Sequence, residues 1–317
     1  MKSLWKKGLV LLLTVALVAV VAGCGSKADR KFLTIATGGT AGTYYPLGGA
    51  IAEILNSNIE GMNATAASTG ASVANVNQLN SGDADLAFIQ NDIAYYAANG
   101  IEMFEGNQVE GLRAIASLYP ETCQVVTLKK TGIQSIADLK GKTVAVGAAG
   151  SGVEANARQI LKAYGITYDD INVKYLSFAE AANSLKDGNI DAAFLTAGFP
   201  TAAVQDISAQ HDIVLLPVEG KAQESLLKEY PFYTKVVIPA GTYPKQDKDV
   251  ESIAVMAMLV ATDKMDESLA YDITKAIFNN LDRLAAAHPV GRTITKEKAR
   301  EGLSIPMHKG AEKFFQE

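Results

Sequence analysis

The chain has 317 residues, 29 basic against 34 acidic, with 48% apolar side chains, nine prolines and two cysteines. Setting aside an N-terminal leader leaves 26 basic residues, the 29 less Lys2, Lys6 and Lys7, and a net charge of −8. That charge offers no footprint for nucleic acid, the cysteines offer no pair to staple folded segments, and the length suits about two domains held by packed cores.

Lys2, Lys6 and Lys7 precede the apolar segment Leu9 to Val21, and small residues lead to Cys24 in the run VAGC. A basic flank, an apolar core short for a spanning helix and a small-residue cleavage site describe a secretory signal over residues 1–23. The cysteine after Ala22-Gly23 resembles the bacterial lipobox, with Val21 where Leu is commoner. Cys24 is therefore expected to carry lipid and anchor the protein outside the cytoplasmic membrane, an uncleaved anchor being the alternative. Residues 24–31 follow as a polar tether.

Phe32 to Ala36 reads as a buried strand, Thr37 to Tyr45 as a Gly-rich loop, and Leu47, Ile51, Ile54 and Leu55 as a helix face. Such a loop binds small polar or anionic groups at the helix start. Thr43-Tyr44-Tyr45-Pro46 stands where a phosphate loop needs Lys-Ser/Thr, so a nucleotide is not indicated. Met62 to Ala67 is a strand, Ser68 or Thr69 caps a helix carrying Val73 and Val76, and Asp85 to Ile89 is a buried strand ending at Gln90. A short helix spans Ile93 to Asn99. Leu112 to Tyr119 and Cys123 to Leu128 read as two strands separated by Pro120-Glu121. From Thr143 the plan restarts: strand TVAVG, loop AAGSG, a helix through Val153 and Ile160, a strand at Ile171 to Tyr175, a helix Ala179 to Lys186 and a buried strand Ile190 to Leu195. Beyond Pro217 the spacing predicts a helix over Ala222 to Tyr230, a strand Thr234 to Ile238, a strand Ile253 to Thr262 and one helix from Glu267 to Ala286.

The two series overlay. Asn77, Leu79, Gly82, Asp85, Ala87 and Phe88 recur as Asn183, Leu185, Gly188, Asp191, Ala193 and Phe194, displaced by 106, and Thr34, Ala36 and Gly38 recur as Thr143, Ala145 and Gly147, displaced by 109. Two similarly built α/β lobes follow, and ligands of such sheets lie beyond the carboxyl ends of the strands. Those tips hold glycines, hydroxyls and amides, which donate many hydrogen bonds and move few protons. His211, His288 and His308 fall on no predicted tip and are expected in surface or loop positions. Gly150-Ser151-Gly152 lacks the nucleophile-elbow pattern, and Asp85 and Asp191 suit turn and capping roles. A binding cleft is favoured over an enzyme, with no catalytic residue, metal or cofactor assigned.

The runs TGGTAGTYYPLGG, STGAS, LYPE, ADLKGKTVAVGAAGSG and AFLTAGFP resemble the TAXI family, the solute-binding subunits of tripartite ATP-independent periplasmic (TRAP) transporters. The resemblance implies a two-lobed type II periplasmic-binding-protein fold with a cleft between lobes, lobe one at 32–122 plus 250–317 and lobe two at 123–249. It implies hinge strands near Cys123 and before the last helix, and delivery of solute to ion-gradient-driven membrane subunits. Relatives imply a small anionic or zwitterionic solute of the glutamate, glutamine or 2-oxoglutarate class. Ala41 and Ala71 stand where relatives carry Gly, Ala149 where Pro is usual, and Phe199 where a smaller residue is common; Ala71 and Phe199 are expected on the cleft wall.

The site expected from these motifs takes Thr40, Gly42, Thr43, Ser68, Thr69 and Ser72 as donors from lobe one. Tyr44 covers the apolar part of the solute and Gln90 orients it, while Ser151, Gly152 and Gly198 close from lobe two. Arg158 could reach back to a carboxylate. The same lobes also fit the binding protein of an ATP-driven importer or a ligand-sensing receptor for a signalling partner.

Overall fold

The computed structural model describes residues 31–317, so the expected leader, Cys24 and most of the tether lie outside the described residues. Lys31, expected in the tether, already opens strand β1 (Lys31–Ala36). Helix α1 (Tyr44–Asn58), β2 (Met62–Ala67), α2 (Ser72–Ser81), β3 (Leu86–Gln90) and α3 (Asn91–Asn99) complete the first series, which runs into β4 (Leu112–Leu128). The second comprises β5 (Thr143–Ala145), α4 (Gly152–Ala163), β6 (Asn172–Lys174), α5 (Phe178–Asp187) and β7 (Ala192–Ala197). Then follow α6 (Ala202–Gln210), β8 (Ile213–Leu216), α7 (Gly220–Glu229), β9 (Thr234–Ile238), β10 (Val250–Thr262), α8 (Glu267–Phe278), α9 (Leu281–Ala287) and α10 (Lys309–Gln316).

The strands form one continuous sheet in the order β2-β1-β3-β10-β4-β7-β5-β6, with β8 beside β4 and β9 beside β10. Within each series the strands run parallel, β1 with β2 and β3, β5 with β6 and β7. Between them β4 and β10 pair antiparallel from Leu112–Thr262 to Thr122–Ala254. Ile115, Leu118 and Leu259 belong to the core around α1 and α8, whereas Cys123, Val125, Ile253 and Val255 belong to the core around α4. Both long strands therefore cross from one core to the other, and the crossing falls at Pro120 to Thr122 opposite Ala254 to Met256.

The repeat has a physical basis. Asp85 accepts from the backbone N–H of Thr34 at 2.8 Å, and Asp191 accepts from that of Thr143 at 2.8 Å. Gly82 and Gly188 end their helices with φ of 82° and 77°, a left-handed turn that side chains with a Cβ resist. Each aspartate thus ties the loop before a central strand to the first strand of its lobe.

Several expected elements differ. Pro120-Glu121 does not separate two strands: β4 runs through it for 17 residues. Proline is tolerated because only β10 flanks the strand there, pairing with β7 beginning at Thr122. The expected helix Glu267 to Ala286 breaks at Asn279-Asn280 into α8 and α9. Helices α6 and α10 and strand β8 lie where no element was expected. His288 and His308 sit in connecting segments as expected but are buried, their Nδ1 atoms accepting from the N–H groups of Val290 and Gly310 to cap the turns that follow.

Candidate functional site

A cavity opens where the carboxyl ends of β1, β3, β5 and β7 face each other across the crossing strands. Lobe one lines it with Gly38, Gly39, Gly42, Thr43, Tyr44 and Thr69 to Ser72, together with Gln90. Lobe two supplies Ala148, Ser151 to Val153, Ser177, Phe178, Thr196 and Ala197, and β4 supplies Glu121. Four helices start here, at Tyr44, Ser72, Gly152 and Phe178. Their first backbone N–H groups have no intrahelical acceptor, so the cavity is lined by ready-made donors.

Of the residues expected in the site, Gly42, Thr43, Tyr44, Thr69, Ser72, Gln90, Ser151 and Gly152 line this cavity. Thr40 is exposed, and Ser68 and Gly198 lie outside the lining. The Ser68 hydroxyl donates to the carbonyl of Gly38 at 3.0 Å. Gly198 carries an interlobe contact instead: its carbonyl accepts from Thr43 Oγ1 at 3.2 Å, and Val290 fills the space where a Cβ would stand.

The expected hydroxyl donors are largely committed to the scaffold. Thr69 Oγ1 lies 3.0 Å from the Thr37 carbonyl and 2.6 Å from Asn75 Oδ1, and accepts from the N–H of Ala71 at 3.0 Å. Ser68 and Thr69 therefore do not cap α2; the cap position belongs to Ala71, at φ 73° and ψ −149°. That conformation is strained for any residue with a Cβ and natural for glycine. Ser72 Oγ accepts from the N–H of Gln90 at 3.1 Å. Ser151 donates to the Ala148 carbonyl at 2.7 Å and accepts from the N–H of Glu154, a cap worth about 1 kcal/mol. Phe199, expected on the cleft wall, packs against the lobe-two core around β7 instead. Arg158 pairs with Glu102 at 3.3 Å and Glu154 at 3.5 Å and does not line the cavity.

Glu121, part of the run LYPE but given no place in the expected site, lines the cavity. It is 2% exposed; its Oε2 accepts from the Tyr44 hydroxyl at 2.8 Å and its Oε1 from that of Tyr119 at 3.4 Å. Burial pushes its carboxyl up to about 8, against the lowering effect of the Tyr44 hydrogen bond. Burial also drives the Tyr44 phenol well above its ordinary value, so that it stays a donor. The available signal was a lone acid between two apolar runs, since a glutamate buried in a strand needs partners.

The lobes are drawn together beside the cavity by a second set of contacts. Gln90 Nε2 donates to Asn156 Oδ1 at 3.0 Å, and Asn156 Nδ2 donates to Asp92 at 2.9 Å and to the Tyr233 hydroxyl at 2.9 Å. Tyr233 donates in turn to Gln159, whose Nε2 reaches the Tyr96 hydroxyl at 3.0 Å. Asp92 is buried and its carboxyl is pushed up to about 6 by that burial. Ala74 N–H to the Gly150 carbonyl at 3.1 Å and Ala203 N–H to that of Ala41 at 3.2 Å complete a closed arrangement.

Comparison with known proteins follows this geometry. The NMT1-like family is matched over residues 35–317. Among solved structures, PhnD1 from Prochlorococcus marinus, bound to methylphosphonate, superposes with a TM-score of 0.58 at 13% identity, covering 91% of this chain and 98% of that one. A protein from Bordetella bronchiseptica gives 0.55 at 20% identity, with 91% and 82% covered. The alkanesulfonate-binding protein SsuA from Xanthomonas axonopodis pv. citri, bound to MOPS, gives 0.50 at 17% identity, with 91% and 84% covered. The fold is the α/β two-lobed fold of periplasmic binding proteins, as the TAXI resemblance implied.

Proposed function

The chain belongs to the NMT1-like family, and from that premise we propose that it is an extracytoplasmic solute-binding protein that captures a small amino acid or carboxylate and hands it to a membrane transporter. The observation carrying this reading is the cavity itself: facing loops from two lobes, four helix starts, and contacts such as Thr43 to Gly198 that exist only while the lobes are together. Two strands that cross between the cores provide a hinge, and solute bridging both lobes would favour the closed form. PhnD1 and SsuA are similar folds bound to methylphosphonate and to MOPS. Their ligands support a small polar solute without naming this one.

Binding without turnover is the chemistry these residues suit. Tyr44 and Glu121 are the titratable side chains lining the cavity among the described residues, and Ser151 donates to a backbone carbonyl rather than to a base. The motifs around Thr40, Ser68, Pro120 and Ser151 favour a TRAP membrane partner, with Cys24 as the lipid anchor. The binding protein of an ATP-driven importer is the competing assignment, because the same fold serves both.

A thermal-shift screen of amino acids and small carboxylates on residues 25–317 tests the reading. A melting temperature that climbs with ligand concentration supports it. No response across the panel contradicts it. Uptake by vesicles carrying the membrane subunits, driven by a sodium gradient without ATP, would assign the TRAP partner; a requirement for ATP would assign the importer.

A further inference from the structure

We infer that the cleft recognises an ammonium group, with Glu121 as its carboxylate and Gln90 Oε1 as a second acceptor, so that the solute is an amino acid rather than the matching 2-oxo acid. The inference rests on the solute-binding reading above and narrows it.

Two acceptors line the cavity with capacity to spare. Glu121 is buried, and none of the ion pairs among the described residues includes it. A carboxylate offers about four lone-pair sites. The phenols of Tyr44 and Tyr119 occupy one on each oxygen. A carboxylate held this way, donated to by neutral groups and lacking a counter-charge, is in the costliest environment for its ionised form, and a cation brought by the solute would offset that cost.

Gln90 points the same way for an independent reason. Its Nε2 is fixed on Asn156 Oδ1 because the other side of the Asn156 amide is committed: Nδ2 donates to Asp92 and to Tyr233, whose own proton goes to Gln159. The amide of Gln90 therefore cannot be reversed without setting acceptor against acceptor, its carbonyl oxygen facing Asn156 Oδ1. Its Oε1 is left buried with no hydrogen-bond partner. That atom stands where a Cβ on Gly152 would fall, at the start of α4, on the cavity wall. An ammonium donates three hydrogen bonds and accepts none. A 2-oxo oxygen or a second carboxylate would set lone pairs against Gln90 Oε1 and could be met by Glu121 only while that carboxyl keeps its proton, whereas an ammonium satisfies both acceptors at once. The carboxylate of an amino acid has its own partners in the helix starts at Ser72 and Gly152.

Titration calorimetry with matched pairs tests this: L-glutamate with 2-oxoglutarate, L-alanine with pyruvate, L-leucine with its 2-oxo acid. For the pair whose amino member binds, the amino acid is expected to bind roughly 30-fold to 5,000-fold tighter, the range for losing one partner of a buried charged hydrogen bond. Glu121→Gln keeps an acceptor for one phenol and offers an amide N–H to the oxygen of the other, and it should remove most of that preference while circular dichroism shows an intact fold. The wild-type comparison decides the matter even if this variant fails to fold. A 2-oxo acid binding as tightly as its amino partner overturns the inference and leaves the solute-binding reading standing. Silence toward every pair overturns the solute class itself.

Discussion

The hydroxyl of Tyr44 donates to Oε2 of Glu121 at 2.8 Å. This bond joins the helix that follows the Gly-rich loop to the strand that crosses between lobes, so the loop and the hinge share one buried polar contact. Tyr44 also stacks on Phe88 with ring centroids 4.9 Å apart, which fixes the phenol independently of the carboxylate.

Replacing Tyr44 by Phe keeps the ring and removes the donor. Glu121 would retain only the longer bond from Tyr119. Hydrogen bonds to charged groups contribute about 1.5–3 kcal/mol, so solute affinity is expected to fall roughly 10-fold to 150-fold with the fold preserved. Calorimetry on the variant checks this, and an unchanged dissociation constant would separate Tyr44 from the site.

The solute-free protein should lose stability as pH rises. Both Glu121 and Asp92 have folded-state values raised by burial, from 4.5 to about 8 and from 3.8 to about 6. A raised carboxyl holds its proton in the folded state where the unfolded chain has released it. Its contribution is complete below the unfolded value and is lost as pH climbs through the folded one. The groups acting on Glu121 are the phenols of Tyr44 and Tyr119 and the carboxylate of Asp92. Between about pH 5.5 and 7 the slope from Glu121 approaches about 1.4 kcal/mol per pH unit, and it falls to roughly half of that at pH 8. Urea denaturation across that range should show the decline, and Glu121→Gln should flatten it.

Gly152→Ala places a Cβ 1.4 Å from Gln90 Oε1 and 3.0 Å from Ile93 Cγ1. Because Gln90 and Gly152 belong to opposite lobes, the clash is relieved by opening rather than by unfolding. The variant should keep its secondary structure and lose solute binding, with small-angle scattering that stays at the open dimensions when solute is added. Gly49→Ala is the control: nothing lies within 4 Å of its Cβ position in the middle of α1, and it should be neutral or stabilising by up to about 1 kcal/mol.

How much of this was legible depended on whether a residue's role was local. The repeat was readable because Asp85 and Asp191 keep the same spacing to the helix-ending Gly82 and Gly188, whereas the N–H groups they tie, at Thr34 and Thr143, lie 51 and 48 residues away and were not. The break at Asn279-Asn280 was not, because α8 and α9 pack on the same core, and Ala270, Ile273, Ile277 and Leu284 keep a continuous apolar stripe across it. Glu121 was hidden by its neighbour: Pro120 signals a turn, and only the pairing of β4 with β10 shows that the strand continues. Hydroxyls at the strand tips suggested solute donors, whereas Thr69, Ser68 and Ser151 spend theirs on loop backbone. A sequence shows that such groups are near the cleft and leaves open which partner they face.

Asn156→Leu removes one side chain that bonds Gln90, Asp92 and Tyr233 at once. In the closed form Asp92 would then lose its side-chain donor from lobe two, a cost of about 1–3 kcal/mol that opening and hydration relieve. The expected outcome is solute affinity lowered roughly 5-fold or more. The melting temperature without solute should change less than that measured at saturating solute.

The account stands or falls on what the cleft holds. A crystal structure of residues 25–317 with the amino acid that gives the largest thermal stabilisation is the most direct measurement. The prediction is solute enclosed between Thr43-Tyr44, Ala71-Ser72 and Ser151 to Val153, with its amino nitrogen within hydrogen-bond distance of Glu121 and Gln90 Oε1. Solute bound outside this cavity, or bound within it with a carboxylate turned toward Glu121, would contradict it.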